Sequence, residues 1–181
     1  MTLLERIAEI LRRDAWQANI VEVDDETPGP LIVSLEPDSA GRERGIFIEL
    51  LPRDEGDPTD TAEIIGFSYV HPYALTRPEM IPELIRVLLF LNRLLPLGAH
   101  NFCEESPGVY FSYSLLVDDI AKVPVNAVRD TVGLIDHVTS HHGPLIEGVI
   151  RGESDSDEVI DAVHSLGLAP RPIFTAALAA Q

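Results

Sequence analysis

Between residues 136 and 144 the chain reads DHVTSHHGP, which sets three of its six histidines within six residues. His137 and His141 stand four apart, so on a helix their imidazoles lie on adjacent turns of one face and can reach a common ion. A helical zinc hydrolase needs more than that. Its H-E-x-x-H run carries a glutamate general base after the first histidine, and Val138 holds that position here. Asp130 falls on the same side of the helix but two turns from His137, too far along a rigid helix to complete a close coordination sphere. Histidines in a last helical turn also have a use without an ion, because a partly protonated imidazole interacts favourably with the C-terminal end of the helix dipole. The expectation is no bound metal and no cofactor, with His137 and His141 the one pair spaced for an ion. Both project to solvent; His142 sits nearer the apolar flank, and His71, His100 and His164 stand singly.

Other chemistries have less to stand on. Asp54, Asp57 and Asp60 recur three apart in PRDEGDPTD, whereas a Ca²⁺ loop needs acids at alternate positions, a glycine at the sixth and a glutamate at the twelfth. That run reads as a solvated hairpin loop. No G-x-S-x-G, P-loop or G-x-G-x-x-G occurs, and Cys103 stands beside Glu104 and Glu105 with no basic neighbour in sequence to lower its pKa. No catalytic residue is assigned, and the protein is expected not to be an enzyme.

Charge and composition narrow the partners. Lys and Arg number 13 against 30 Asp and Glu, a formal charge of −17, and the basic residues do not cluster. A nucleic-acid backbone or an anionic membrane surface would be repelled. The 181 residues with 45% apolar content can bury a core. Cys103 is alone, which suits a reducing compartment, and Glu5 and Glu9 interrupt the apolar pattern at the N-terminus, so no signal peptide is expected. These readings favour a cytoplasmic protein.

The elements that must position any site follow from periodicity. Leu3, Leu4, Ile7, Ile10 and Leu11 recur at helical spacing behind Thr2, a plausible N-cap. Short β-branched or aromatic runs at 20–23, 31–36, 45–52 and 62–70 are bounded by Pro, Gly and Asp clusters, with connections too short for crossover helices. Antiparallel pairing is favoured. Residues 99–103 and 108–117 form a further hairpin, the second strand turning Val109, Phe111, Tyr113 and Leu115 to one face. Helical period returns through Val125, Val128, Val132, Ile135 and Val138, with Gly143 and Pro144 in the order of a helix stop.

Residues 78–98 are the most apolar stretch, but Glu83, Arg86, Asn92 and Arg93 interrupt it, so it is not a membrane span. On a helical wheel its apolar arc covers roughly 220°, about twice the stripe that one sheet face can cover. The surplus is expected to meet a second element or a second copy, which makes Ile85, Leu88, Leu89 and Asn92 the candidate partner or dimer contacts and a homodimer the expected assembly. Asn92 lies inside the arc, where its amide needs partners, a bonded core amide being the plainer reading. ESDSDE, at 153–158, reads as an acidic linker. It divides residues 1–152 from a short helix and tail at 153–181, and a chain cut after Gly152 is expected to keep its core.

The order of elements, and LIRVLLFLNRLLPLGAHNFCEESPGVYFSYSLL in particular, resembles the YbjN-like family, whose fold is that of type III secretion chaperones. In that family a helix ending in a Leu-Asn pair precedes a strand, an acidic turn and a Tyr-containing strand; here these are Leu91 and Asn92, residues 99–103, Glu104 with Glu105, and residues 109–115. The resemblance covers roughly residues 3–150. It implies an α+β fold, an antiparallel sheet of five to six strands with three main helices in the order α-β-β-β(-β)-α-β-β-α. It also implies a small, acidic, dimeric protein that holds client segments without ATP. The expected function is therefore a non-enzymatic protein-binding module, chaperone-like or regulatory. The alternatives are a small-ligand sensor and a metal-dependent enzyme using His137 and His141.

Overall fold

Thr2 begins the fold as a reciprocal cap: its hydroxyl accepts from the Glu5 amide at 3.2 Å, while the Glu5 carboxylate accepts from the Thr2 amide at 2.6 Å. The helix it opens, α1 (Leu3–Arg13), buries Leu3, Leu4, Ile7 and Leu11. A computed structural model describes residues 2–22, 28–51, 63–117 and 123–168 of the chain. Within these, α1 is followed by β1 (Gln17–Glu22), β2 (Pro28–Leu35), β3 (Arg44–Leu51) and β4 (Glu63–Ala74). A 3-10 turn (Pro78–Met80) leads into α2 (Ile81–Asn92), and β5 (Ala99–Cys103), β6 (Gly108–Val117), α3 (Val125–Arg151) and α4 (Ser156–Ser165) complete the order. The acidic loop PRDEGDPTD and the tail from residue 169 lie outside the described residues.

The six strands form one antiparallel sheet in the order β1-β2-β3-β4-β6-β5, as the short connections require. The fold is α+β, with six strands, the upper end of the expected five to six. Registers such as Val33↔Ile46, Ile46↔Tyr69 and Tyr69↔Phe111 align buried side chains into rows on the face that α1 and α3 cover. Val109 and Phe111 are fully buried, which settles the facing of the last strand.

Three expectations are corrected. The third helix does not stop at Gly143 and Pro144 but runs on to Arg151 and ends at Gly152, whose φ of 68° is the left-handed C-cap conformation. A proline inside a helix costs roughly 3 kcal/mol. Ile146, Val149 and Ile150 continue the buried stripe beyond it, and at about 1.5 to 3 kcal/mol each their burial outweighs that cost. The acidic run is likewise no solvated linker. Asp155 caps α4 in a reciprocal pair with Glu158, Ser156 is fully buried, and its amide donates to the Glu83 carboxylate of α2 at 3.0 Å. Arg86 of α2 closes the same junction on Asp157 at 2.6 Å.

The third correction concerns the wide arc of α2. Leu84, Val87, Leu88, Phe90 and Leu91 are buried by α3, α4 and the sheet within one chain, with Phe90 meeting the His164 ring edge-on at 5.4 Å. Periodicity showed that the arc needed a second covering element. α4, the helix behind the acidic run, supplies that cover together with α3 and β5.

Candidate functional site

β4 and β6 pair without interruption from Glu63↔Val117 to Val70↔Tyr110, and the pairing resumes at Ala74↔Gly108. β4 therefore takes four steps where β6 takes two. The bulge holds Pro72, which has no N–H to give to a ladder, and it keeps both His71 and Tyr73 on the helix-covered side. α3 makes room for them. A Cβ on Gly143 would stand 2.6 Å from the Tyr73 hydroxyl oxygen, so only glycine lets the tyrosine approach the helix this closely.

From the bulge a row of imidazoles crosses three elements. His71 Nε2 faces His100 Nδ1 of β5 at 3.4 Å, and His100 Nε2 faces His142 Nδ1 of α3 at 2.9 Å. A neutral imidazole has one donor and one acceptor, so the donors along the row must all point the same way. Burial lowers all three pKa values, to about 3 for His71, about 2 for His100 and about 4 for His142. The row is uncharged at neutral pH. Its inner end, His71 Nδ1, is buried without a hydrogen-bond partner. Both nitrogens of His100 face separate neighbours, so the rings do not converge on one point, and no group of three metal-binding side chains occurs among the described residues.

Beside the row lies a cavity of about 270 Å³ under the loop between β2 and β3, lined by Asp38, Arg42, Arg44, Tyr69, Tyr73 and Glu147 among others. Its cations are already paired. Arg42 makes a two-pronged contact with Glu147 at 2.7 Å on each side, bonds Asp38 at 2.6 Å and lies 4.7 Å over the Tyr73 ring. Arg44 reaches Asp136, Thr139 and the Tyr69 hydroxyl. The hydrogen bond from Arg42 holds the Glu147 carboxyl below its usual range, and burial pushes the Tyr73 phenol up to about 12. These groups form no nucleophile and base pair. They lock the loop onto α3.

The residues singled out from sequence are distributed around this centre. His137 and His141 are exposed, with ring centroids 4.2 Å apart and the His141 Nδ1 bonded to the His137 carbonyl at 2.7 Å. His142 is the one histidine of that run that turns inward. His71 and His100, read as single residues, are its partners. Asn92 donates to the His100 carbonyl at 2.9 Å and accepts from the His100 amide at 2.7 Å, the bonded core amide that a buried position demands. Leu88 and Asn92 thus face inward, whereas Ile85 and Leu89, at 39% and 62% exposure, remain on the outer side of α2. The signal for the row was partly present: His71 falls on the inward parity of Ile65, Phe67 and Tyr69, and His100 pairs with Phe111. What sequence lacked was the strand order that sets these two beside α3.

The face of the sheet opposite the helices carries the largest uncovered apolar side chains of the strands. Val70 is 58% and Leu116 60% exposed there, and Phe47, Ile32 and Tyr110 are half-buried on the same face. Both sheet edges are partly shut. Arg12 donates to the Ala18 carbonyl of β1 at 2.8 Å, and Asn92 occupies the His100 amide and carbonyl of β5. These contacts block strand addition at the middle of each edge. No helix among the described residues is long and apolar enough to cross a membrane. Comparison of the sequence with protein-family models and with curated proteins finds no match to either.

Proposed function

We propose that the protein is a non-enzymatic binding module, chaperone-like or regulatory, that holds a segment of a partner protein against the uncovered face of its sheet. The observation that carries this reading is the exposure of Val70 and Leu116 on a face that no described helix covers, in a sheet whose edges are partly shut by Arg12 and Asn92. Val70 stands beside Tyr110 at one end of that face and Leu116 beside Ile64 at the other, with Ser68, Ser112 and Ser114 between, and apolar side chains left open on a sheet face mark contact sites. The likeness to the YbjN-like family and its secretion-chaperone fold supports the same reading, as does the cavity under the Arg42 loop, whose two arginines are both bonded to carboxylates of the chain itself. A cytoplasmic location belongs to this proposal.

The test places a photo-cross-linking residue at position 70, at 116 or at 89 and maps the partner peptides recovered. Cross-links from 70 and 116, lost in Val70→Glu with Leu116→Glu, are the expected result. Cross-links from 89 alone would move binding to α2. The exposure of Ile85 and Leu89 favours one addition, a homodimer through α2. Light scattering of the wild type and of Ile85→Asp with Leu89→Asp tests it: a dimer that becomes a monomer is expected, and a wild-type monomer at micromolar concentration would refute it.

A further inference from the structure

The bulge in β4 also shapes the surface around it. Beside the two surplus residues and the β5–β6 turn lies a groove of about 570 Å³, lined by the outward Val70, Cys103 and Tyr110, by Pro72, Ala74 and Pro107, and by parts of His71, Tyr73 and Val109. Val70 is 58% exposed, and Pro72, Ala74 and Pro107 are exposed beside it. The frame is stiff. Two prolines fix their own backbone angles, and the Leu75 amide ties the strand to the Pro107 carbonyl at 3.4 Å. A rigid, concave, apolar lining with a tyrosine at its rim is the form of an anchor pocket, which gains most from one large aliphatic or aromatic side chain.

Charge tells what should flank that anchor. Every described arginine lies on or at the end of a helix or, like Arg42, Arg44 and Arg77, turns toward α3, and no lysine is among the described residues. The outward face of the sheet therefore holds no cation among those residues. It does hold acids: Glu49 stands at an outward position of β3, and Glu104 and Glu105 are exposed in the turn that walls the groove. Hydrogen bonds from its own amide and from the Cys103 thiol keep the Glu105 carboxyl below its usual range, so it stays ionised. Among the described residues, charges on the helix side are of both signs, while those on the outward face of the sheet have one sign.

We propose that the groove beside the β4 bulge is the anchor of the binding face and that its occupant is a basic peptide segment, a large apolar side chain seated between Val70, Pro72, Pro107 and Tyr110 with Lys or Arg residues flanking it. This rests on the reading of the sheet face as a protein-binding surface and adds the place and the chemistry. Because Asn92 holds the backbone of β5 at His100, the segment lies across the face rather than extending the sheet there. The apolar contact supplies affinity, and the one-signed field supplies attraction and selects against acidic segments.

Three labelled peptides test it by fluorescence anisotropy at physiological ionic strength: one alternating Lys with Leu, one with Glu in place of Lys, and one with Ser in place of Leu. The Lys-Leu peptide should bind, with the other two weaker by about tenfold or more. Val70→Asp, checked for folding by circular dichroism and paired with the milder Tyr110→Ser, should weaken the Lys-Leu peptide by about tenfold, and Glu104→Gln with Glu105→Gln by about threefold. Equal binding of the Lys-Ser peptide would reduce the effect to unspecific attraction by an acidic protein and overturn the proposal. So would absence of binding by all three, while the cross-linking at positions 70 and 116 decides the broader reading separately. If the Glu-Leu peptide binds as well and is lost in Val70→Asp, the binding face stands and the charge of its occupant is wrong. If Leu116→Asp abolishes binding and Val70→Asp does not, the face stands and the groove is not its anchor.

Discussion

The two apolar clusters of this chain are built on opposite plans. The first lies between the sheet, α1 and the N-terminal half of α3, and its members come from elements whose periods are plain in sequence. The second joins Leu84, Val87 and Leu91 of α2 to Ile146 and Val149 of α3 and to Val159 and Val163 of α4. It depends on a helix that runs through a proline and on a helix that starts inside an acidic run, two segments that local rules would assign to a stop and a linker. The histidine row stands between them, its members belonging to neither cluster. The difference teaches that local pattern suffices where each element's own period is plain, even when, like α3, it covers residues far back in the chain. Where stop and linker signals interrupt the period, burial overrides the local signals.

The sharpest way to break this comparison is to remove the late element. A chain ending at Gly152 loses Val159 and Val163 and uncovers part of α2, which should cost about 3 to 6 kcal/mol at about 1.5 to 3 kcal/mol for each side chain. That is a large share of the roughly 5 to 15 kcal/mol by which domains are stable. Urea denaturation followed by circular dichroism should show the fall, and an earlier loss of α2 than of the sheet would show that the second cluster unfolds as its own unit. An unchanged midpoint would instead restore the boundary at Gly152 that the sequence suggests.

Acid probes the seam between the clusters. His71, His100 and His142 are held neutral by burial, with pKa values of about 3, 2 and 4 against an ordinary 6.5. As pH falls below 6.5 the unfolded chain takes up protons that the folded chain refuses, so stability declines through that range and on toward the folded values. Between pH 7 and pH 5 the loss is on the order of 2 kcal/mol for each fully buried histidine. The carboxyls of Asp38 and Glu147, lowered by Arg42 and the loop it holds, lose their contribution in the same direction but only from about pH 4.5 downward. Urea midpoints at pH 7 and pH 5 separate the two effects, and His142→Gln should shrink the difference. A wild type equally stable at both values would mean that the folded row accepts protons freely.

Most of the first cluster was legible because its cues are local: an N-cap at Thr2, alternation through Val109 and Phe111, short turns that force antiparallel pairing. The breadth of the α2 arc and the need of Asn92 for partners were legible as demands, without naming what meets them. The covering helix was hidden because ESDSDE serves as its cap and first turn, where acids are favourable against the helix dipole as well as soluble. The histidine row was hidden for another reason. Its members are 29 and 42 residues apart, and only the strand order, with β6 lying between β4 and β5, sets them side by side.

A finer test addresses how closely the seam is packed. Gly143→Ala would gain roughly 1 kcal/mol of helix propensity, yet its Cβ would stand 2.6 Å from the Tyr73 hydroxyl oxygen, an overlap that costs about 1 to 3 kcal/mol. A net loss of about 1 kcal/mol is expected. In a Tyr73→Phe background, where that oxygen is gone, the same substitution should be neutral or stabilising, and the double-mutant cycle measures the difference directly. Strict additivity would show that Tyr73 yields easily and that the approach to α3 places no demand on residue 143.

The smallest effect is expected at the residues whose spacing looked most like chemistry. His137 and His141 share one exposed face of α3, and the His141 Nδ1 is engaged by the His137 carbonyl at 2.7 Å, which leaves the pair with no third side chain converging on it among the described residues. Neither ring is buried, so replacing both with alanine removes no packed surface and should change stability by less than about 0.5 kcal/mol. Protein purified without a histidine tag should carry no stoichiometric zinc by elemental analysis. His142→Gln, one position further along the same helix, should behave differently, because it alters the row that ties α3 to β5. One equivalent of zinc lost in His137→Ala with His141→Ala but retained in His142→Gln would reverse the assignment, making the exposed pair the working histidines and the buried row a packing device.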